Sequence, residues 1–429
     1  MGLEIFERGE LPRWAPVRQQ LDATDVGDVA AAVAAQFSRP EIAATIRAGQ
    51  RVALTAGSRG IDKNDQVLKA AVNEIRRLDA EPFIVPAMGS HGGATAEGQA
   101  EMIAHFGITE ATMGCPILSS MATVHLGEIE EMGETVPVWF DQNAYHADAV
   151  IPVGRVKPHT DFHGPVESGL MKMIAIGLGK QKGADFFHSQ GMAEFDHLIP
   201  AVAGFTLGRV NIPFGLALIE NGYGRLSLIE AVPAARIWDR EQELLRLARD
   251  RMGRLPGERI DVLIVDAIGK DISGDGADPN VINRDVVGLI AASELPLRPH
   301  IQRLIVRDLT PDTEGNATGI GMADVALRRA VEKMDPVATY MNMITAKAPQ
   351  GARIPLTVDT DRQALFVALA CCLKTTTETA HIARIPDTKH VEELWASEPL
   401  LPELLASGRV ELLADPRPIA FDAAGMLQD

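Results

Sequence analysis

The stretch RVALTAGSRGIDKND, residues 51–65, decides the fold class of the chain. Its first seven residues form an apolar run of the length of a buried strand, and a polar turn with glycines follows. Beyond the turn, apolar side chains recur at helical spacing on one face, which comprises Val67, Leu68, Ala71, Ile75 and Leu78. The pattern predicts a strand, a loop and a helix in succession.

The same succession recurs further along the chain. Residues 82–90, 147–156 and 214–221 are strand-like, and Thr95 is placed to cap a helix that ends near residue 106. Alternating strands and helices predict an α/β fold with a mostly parallel sheet and helices on both faces. Ligands of such sheets bind at the carboxyl ends of the strands. The loops after the strands are therefore the first places to look for a site.

A second α/β block follows a charged helix over residues 236–254. The sequence LPGE marks a boundary, and strand-like runs follow at 259–269 and 300–309, with a helix predicted around 322–334. We expect two α/β domains, an N-terminal cofactor-binding and catalytic domain over residues 1–255 and a C-terminal domain over 256–429. The active site is expected in the cleft between them, and the last residues are expected to pack back on the first domain.

Composition narrows the class of protein. The chain has 429 residues, 46% hydrophobic and 23% charged, and a net charge of -17, which argues against a nucleic-acid or anionic-membrane partner. Three cysteines without a CxxC pair indicate no disulfide framework and no zinc ribbon. No signal peptide and no membrane span are recognisable. These observations predict a soluble cytoplasmic protein and leave its oligomeric state open.

The richest segment in chemistry spans residues 154–191 and begins where a strand ends. Its functional side chains are interleaved with glycines, which let the backbone approach a ligand closely, and comprise Lys157, His159, His163, Glu167, Lys172, Lys180, Lys182 and His188. Histidine serves as an acid, a base or a metal ligand near neutral pH. Taken singly, each histidine is more commonly structural than catalytic, so the argument rests on the cluster.

Three other loops carry candidate residues at strand ends. Ser58-Arg59 and the loop of His91 lie in the first block, and Lys270-Asp271 opens the second. Arginine, lysine and backbone amides at such positions can hold a phosphate or a carboxylate. Each loop is also compatible with an ordinary polar turn. The loop of Lys270 lacks the closing glutamate that a calcium loop requires, so calcium binding is rejected.

Together these residues resemble the lactate racemase family, whose members use a nickel-pincer nucleotide. The resemblance covers most of the chain and is strongest from residue 51 to residue 188. The matching elements occur in the family's order: Ser58-Arg59, Gly89-Ser90-His91, Pro158-His159, Glu167-Ser168-Gly169 leading to Lys172, then His188 and Lys270-Asp271. Each element is weak alone, and their ordered set is the specific signal.

The resemblance implies a role for each matching residue. It implies that His91 and His159 are the acid/base pair on opposite faces of the substrate and that His188 is the protein ligand of nickel. It implies that Lys172 binds the cofactor, in some members through a thioamide bond. Ser58, Arg59 and Ser168 would also bind the cofactor, and Arg59, His163 and Lys270 would bind the substrate.

The implied activity is a racemase or epimerase that inverts C2 of a 2-hydroxy acid by reversible hydride transfer. The C–H bond at this carbon is a very weak acid, and moving a hydride avoids a carbanion. The implied cofactor is nickel held in a pyridinium thioamide/thiocarboxylate mononucleotide, which performs the organic chemistry while the protein orients it. The implied partners are a small 2-hydroxy acid and, transiently, the proteins that synthesise the cofactor.

The chain also departs from the family pattern. An acidic residue is expected three positions before Arg59, where this chain has Ala56, and the segment between His159 and Lys172 is longer and contains His163. Either histidine is a candidate base. The departures predict a substrate other than lactate, such as a malate-like or an aldonic acid. Two alternatives remain: a sugar-acid lyase or dehydratase with a Schiff base on Lys172, and a non-catalytic cofactor carrier.

Overall fold

A computed structural model describes residues 2–58, 60–286 and 298–428 of the chain. Its strands, in chain order, are β1 Arg13–Gln19, β2 Arg51–Ala56, β3 Glu81–Pro86, β4 Thr123–Glu131, β5 Glu134–Asp141, β6 Ala149–Ile151, β7 Val153–Arg155, β8 Phe214–Glu220, β9 Leu226–Pro233, β10 Arg259–Val265, β11 His300–Val306, β12 Val325–Leu327, β13 Leu356–Val358, β14 Ile382–Ile385, β15 Glu393–Ser397, β16 Val410–Leu412 and β17 Arg417–Pro418.

The α-helices within the described ranges are α1 Val29–Phe37, α2 Pro40–Ala43, α3 Asn64–Arg77, α4 Ala96–His105, α5 Glu110–Met113, α6 Gln142–Tyr145, α7 Leu170–Lys172, α8 Lys180–Gln190, α9 Phe195–Leu207, α10 Ile237–Arg251, α11 Pro279–Ile282, α12 Arg328–Glu332, α13 Pro336–Thr345, α14 Asp361–Ala370 and α15 Leu401–Ala406. A π-helical turn, Met173–Gly177, continues α7. None of the helices in the described part of the chain combines the length and apolar character that a membrane span requires.

The chain divides into two compact units, Ala23–Met252 and residues 2–22 together with 253–428. We call them the first and the second unit. The sequence assigned residues 2–22 to the first domain, whereas the structure groups them with the second unit because β1 pairs with β15 and β16. The late strand β17 also pairs with β1, so residues near the C-terminus pack on this N-terminal strand.

The first unit contains two small sheets with parallel strands at their centres. Strand β2 lies between β3 and β6 and is parallel to both, while β7 is parallel to β8 and β9 closes that sheet antiparallel. Five of the six residues of β2 are buried, which explains its continuous apolar run. Helix α3 packs its buried face, including Val67, Leu68 and Ile75, in the same core.

The second unit is built on one larger sheet with five parallel strands in the order β13-β12-β11-β10-β14. Strands β15, β1 and β16 extend it antiparallel. The α/β class with largely parallel sheets is thereby confirmed. The single long helix expected around residues 322–334 is wrong, because Val325–Leu327 is a strand within the sheet and only Arg328–Glu332 is helical. A short apolar run fits a buried strand and a buried helix equally well.

Candidate active site

Two neighbouring strands of the first unit end side by side and lead into loops with candidate residues. Strand β2 pairs in register with β3, from Arg51 opposite Glu81 to Ala56 opposite Pro86. Ser58 follows β2 and His91 lies in the loop after β3, so both loops leave the same edge of the sheet, as expected. Arg59 lies outside the described residues, and its assigned role stays a prediction.

Two phenylalanine rings connect three of the candidate residues. Phe162 and Phe195 have ring centroids 5.4 Å apart, and we call them the aromatic pair. The ring of His159 lies 4.4 Å from that of Phe162, and Lys172 Nζ lies 5.5 Å from the same ring. The ring of His188 lies 5.6 Å from that of Phe195. The structure therefore brings His159, Lys172 and His188 together around one apolar contact.

The ring of His159 is fixed by its own loop. Its Nδ1 accepts the backbone N–H of Asp161 at 3.0 Å and lies 3.9 Å from Oδ2 of the Asp161 carboxylate. Because Nδ1 is an acceptor, the neutral imidazole carries its proton on Nε2. In this neutral form Nε2 is a hydrogen-bond donor, and a second proton would make the ring an imidazolium. The Asp161 carboxylate, 3.9 Å from Nδ1, would stabilise that charged form.

Glu167 is fully buried and holds this loop together. Its carboxylate accepts the backbone N–H of His159 at 2.5 Å and lies 3.2 Å from Nδ1 of His163. It also forms an ion pair with Arg249 of α10. A buried carboxylate with a cation and several N–H donors is well compensated. Glu167 therefore places both candidate histidines, and it fixes the proton of neutral His163 on Nδ1.

Ser168 lies opposite Lys157 in a short antiparallel bridge. Their backbones exchange two hydrogen bonds, from Lys157 N to Ser168 O at 3.1 Å and from Ser168 N to Lys157 O at 3.3 Å. This bridge closes the loop that contains His159 and His163. Lys172 follows four residues after Ser168. The expected contact between the Ser168 side chain and a cofactor stays a prediction.

Lys172 ends α7 and stands at the start of the π-helical turn. Lys172 lies within the largely apolar run GLMKMIAIGLG, residues 169–179, yet its side chain is only half-buried. The N-terminal end of α7 is capped from a distance by Glu241 of α10, whose Oε2 accepts the N–H of Met171 at 3.0 Å. Burial raises the pKa of Glu241 to about 8, although the amides of Met171 and Leu170 oppose this shift.

The loop that carries His91 is held by a buried glutamine. Gln99 of α4 is fully buried, and its Nε2 donates to the carbonyl oxygens of Gly89 at 2.9 Å and His91 at 3.1 Å. Gly89 adopts φ +58, and its N–H donates to Gly177 O at 3.2 Å. The loop of His91 therefore packs against the turn that follows Lys172.

Lys180, rather than Lys172, is the fully buried lysine of this segment. Its ammonium forms an ion pair with buried Asp141 at 3.0 Å and donates to Oε1 of Gln99 at 3.1 Å. Burial lowers the pKa of Lys180, and the charge of Asp141 opposes that shift. The sequence signal was present, because Lys180 follows the apolar run of residues 173–179, but nothing local revealed its partners.

Lys270 and Asp271 follow β10 in the second unit, at the carboxyl end of that strand. Lys270 Nζ donates to Gly274 O at 2.6 Å, and its backbone N–H donates to Thr313 Oγ1 at 3.0 Å. Asp271 is exposed and accepts the hydroxyl of Thr310. These contacts shape the loop of Lys270, and its role in substrate binding stays a prediction.

The described residues place two imidazoles, those of His159 and His188, beside the aromatic pair. Within those ranges, no three His, Cys, Asp or Glu side chains are grouped to hold a metal ion. His188 would supply one protein ligand, and Lys172 lies on the neighbouring ring for attachment of an organic group.

The chain is similar to known proteins in sequence and in fold. Residues 8–196 match the family model of the lactate racemase N-terminal domain, a stretch that includes His91, His159, Lys172 and His188. No curated protein sequence matches the chain. The fold is similar to the lactate racemase apoprotein of Thermoanaerobacterium thermosaccharolyticum, with a TM-score of 0.53 and 15% identity over 87% of this chain and 93% of that chain. Over residues 8–196 the chain is therefore similar to the N-terminal domain of the lactate racemase family, and its fold is similar to that of a lactate racemase apoprotein.

Proposed function

We propose that the chain is a racemase or epimerase that inverts C2 of a 2-hydroxy acid with a nickel-pincer nucleotide. The similarity of residues 8–196 to the lactate racemase N-terminal domain supports a racemase-type isomerase. The observation that carries the finer proposal is the aromatic pair, which gathers His159, Lys172 and His188 from three parts of the segment. These are a candidate acid/base, a candidate tether and a candidate nickel ligand.

The residues present fit the cofactor. His188 would bind nickel through its imidazole, which suits the metal's tetragonal preference alongside donors of the nucleotide. Lys172 would bind the nucleotide, covalently where a thioamide forms, and Ser58, Arg59 and Ser168 would contact its polar groups. The cofactor, when bound, supplies a reversible hydride acceptor. The rest of the chemistry is binding, orientation and proton transfer by side chains.

His159 and His91 would share the proton transfer. His159 would exchange a proton with the substrate oxygen by cycling between its imidazolium and its neutral form, and the Asp161 carboxylate, 3.9 Å from Nδ1, would stabilise the imidazolium. His91 is exposed on a loop that Gln99 fixes, as expected of a second acid/base that meets a substrate. Histidines suit both roles because their pKa values lie near neutral pH.

His163 would help bind the substrate rather than act as the base. The Nδ1 atom of His163 contacts Glu167, which also forms an ion pair with Arg249. These contacts hold the ring of His163 in place. His159 shares the ring of Phe162 with Lys172, which favours His159 for the base. Lys270, in the second unit, would add a cation for the substrate carboxylate.

The proposed substrate is a 2-hydroxy acid other than lactate, malate-like or an aldonic acid. The support is Ala56, which stands three residues before Arg59, and the longer loop between His159 and Lys172. Both features concern the loops expected to meet the substrate. Proteins that synthesise the cofactor would be transient partners.

The test is to produce the chain in cells that make the cofactor and to measure nickel content and intact mass. We expect one nickel per chain and added mass, with inversion at C2 in a panel of 2-hydroxy acids followed by chiral chromatography. His188→Ala should lose nickel, whereas His91→Ala and His159→Ala should keep it and lose turnover. A chain without nickel or added mass would refute the proposal. Borohydride trapping of a keto acid on Lys172 would favour the lyase instead.

A further inference from the structure

Lys180 is buried, and its ammonium contacts three polar groups. It has no exposed surface, and neither has Asp141, its partner at 3.0 Å. The ammonium also donates to the carbonyl oxygen of Pro86, at the end of β3, and to Oε1 of Gln99 at 3.1 Å. The ammonium thus makes two hydrogen bonds and one ion pair, with groups from three separate elements. The ammonium joins the end of β3, helix α4 and the end of β5 to the start of α8.

Gln99 extends these contacts to the loop of His91. Its Oε1 accepts from Lys180, which fixes the orientation of the amide and directs both Nε2 hydrogens to Gly89 O and His91 O. The position of the loop therefore depends on the orientation of Gln99. That orientation depends on the ammonium of Lys180, because a glutamine with an apolar neighbour in place of Lys180 would lose the partner of its oxygen.

Lys180 belongs to the same helix as His188. Lys180 is the first residue of α8, and His188 lies in its last turn. Eight residues along an α-helix correspond to about 12 Å, and the intervening turns are rigid. A contact at Lys180 therefore couples the loop of His91 to the helix of His188.

The backbone of Lys180 shows that the side chain is kept at a cost. Its φ is +53, in the left-handed region where glycine is favoured and a side chain is disfavoured. Burial also lowers the pKa of its ammonium, against the charge of Asp141. Apolar residues commonly replace buried ion pairs without loss of stability. Stability alone therefore does not account for a lysine at this position.

The geometry points to Lys180 as a positioning residue that, through Gln99, sets the loop of His91 against the helix of His188. The inference deepens the proposed function and rests on it for the catalytic meaning of the two histidines. Lys180 itself would touch neither substrate nor cofactor. It would fix the spacing between a proton-transfer group and a nickel ligand.

The variant that isolates this link is Gln99→Met. It leaves the Lys180–Asp141 pair in place and removes the two hydrogen bonds to Gly89 O and His91 O. We expect amide hydrogen exchange over residues 88–95 to accelerate about tenfold or more, while exchange within α8 stays unchanged. The matched control is Gln36→Met, because Gln36 of α1 likewise holds a backbone amide, that of Ala231, in the same unit. It should leave residues 88–95 unaffected.

A second readout separates positioning from folding. In the cofactor-loaded enzyme, Gln99→Met should lower kcat about tenfold or more with little change in KM, because the substrate still binds while His91 is misplaced. Gln36→Met should keep the kcat of the unchanged chain. The double variant Lys180→Met/Asp141→Asn removes the charge pair as a unit and should accelerate exchange over residues 88–95 as Gln99→Met does.

The outcomes decide the inference in each case. Unchanged exchange over residues 88–95 in Gln99→Met would overturn it, and so would accelerated exchange with unchanged kcat. If the double variant does not fold, Gln99→Met alone is decisive. If the unchanged chain inverts no 2-hydroxy acid, the proposed function fails. The exchange rates measured on the chain as purified then still decide whether Lys180 and Gln99 hold the loop.

Discussion

Two buried glutamates hold the segment around Lys172, and they differ in what faces them. Glu167 and Glu241 are both without exposed surface. Glu167 meets Arg249, the ring of His163 and the backbone amides of His159 and Gly164. Glu241 accepts the backbone amides of Met171 and Leu170, and within the described ranges its Oε1 has no hydrogen-bond partner.

The difference shows that burial alone does not set the state of a carboxyl group. Glu167 contacts a guanidinium and several backbone amides, and its negative charge holds the loop of His159 and His163 in place. Without a cation, Glu241 has its pKa raised to about 8 and holds a proton at neutral pH. One glutamate fixes the loop before Lys172 by charge, and the other caps the helix of Lys172 as a neutral acid.

The largest expected effect concerns Glu241 and pH. Its folded-state pKa of about 8 lies above its ordinary 4.5, so between these values the folded chain holds a proton that the unfolded chain has lost. Stability should therefore fall as pH rises from 4.5 to 8 and level off above 8. At about 1.4 kcal/mol per pKa unit, the loss is up to about 5 kcal/mol.

Glu241→Gln keeps the acceptor for Met171 and is neutral at every pH. We expect it to lack this loss, so its free energy of unfolding in urea should exceed that of the unchanged chain above pH 8. Glu243→Gln, an exposed change on the same helix, is the control and should keep the original slope. Parallel pH profiles for Glu241→Gln and the unchanged chain would show that Glu241 is ionised like an ordinary glutamate.

The second effect removes the charge of the other glutamate. Glu167→Gln leaves the guanidinium of Arg249 without its buried carboxylate, so we expect the free energy of unfolding to fall by about 3 kcal/mol. The measurement is urea unfolding near neutral pH. Arg249→Gln together with Glu167→Gln should recover part of the loss, because neither charge is then left alone. If Glu167→Gln leaves the stability unaltered, the ion pair of Glu167 does not distinguish it from Glu241.

The third effect tests how closely Glu241 approaches the cap of α7. A Cβ on Gly169 would collide with the carboxyl oxygens of Glu241, so Gly169→Ala should cost about 2 kcal/mol. In a Glu241→Ala background the same change should cost clearly less, which a double-mutant cycle measures. Gly204→Ala is the matched control, since a Cβ there meets nothing within 4 Å and the helix α9 gains stability. Additive effects of the two changes would contradict the close approach.

Local periodicity made much of the fold predictable. The apolar run at residues 51–57 and the helical spacing after it correspond to β2 and α3, and Thr95 caps α4 as expected. His159, Lys172 and His188 could be named because they share one segment. The N-terminal boundary of the first unit could not be predicted, since β1 pairs with a strand nearly four hundred residues away.

The residues that hold the candidate site in place could not be predicted either, because they lie far from it in the sequence. Glu241 lies 70 residues from Met171, and Arg249 lies 82 residues from Glu167. An amphipathic helix such as α10 signals which face is buried but not which loop its buried acid caps. Lys180 shows the same limit, because its burial depends on Asp141 from a separate hairpin.

The smallest expected effect concerns the ion pair between Glu167 and Arg249. It distinguishes the contribution of the positive charge from that of the guanidinium geometry. Arg249→Lys keeps a cation opposite the carboxylate but loses the planar fork that a guanidinium offers. We expect a loss of about 1 kcal/mol in the free energy of unfolding, less than that of Glu167→Gln, because the buried charge remains compensated. Urea unfolding of both variants under one condition makes the comparison. Equal losses would mean that the orientation of the guanidinium, and not its charge, distinguishes Glu167 from Glu241.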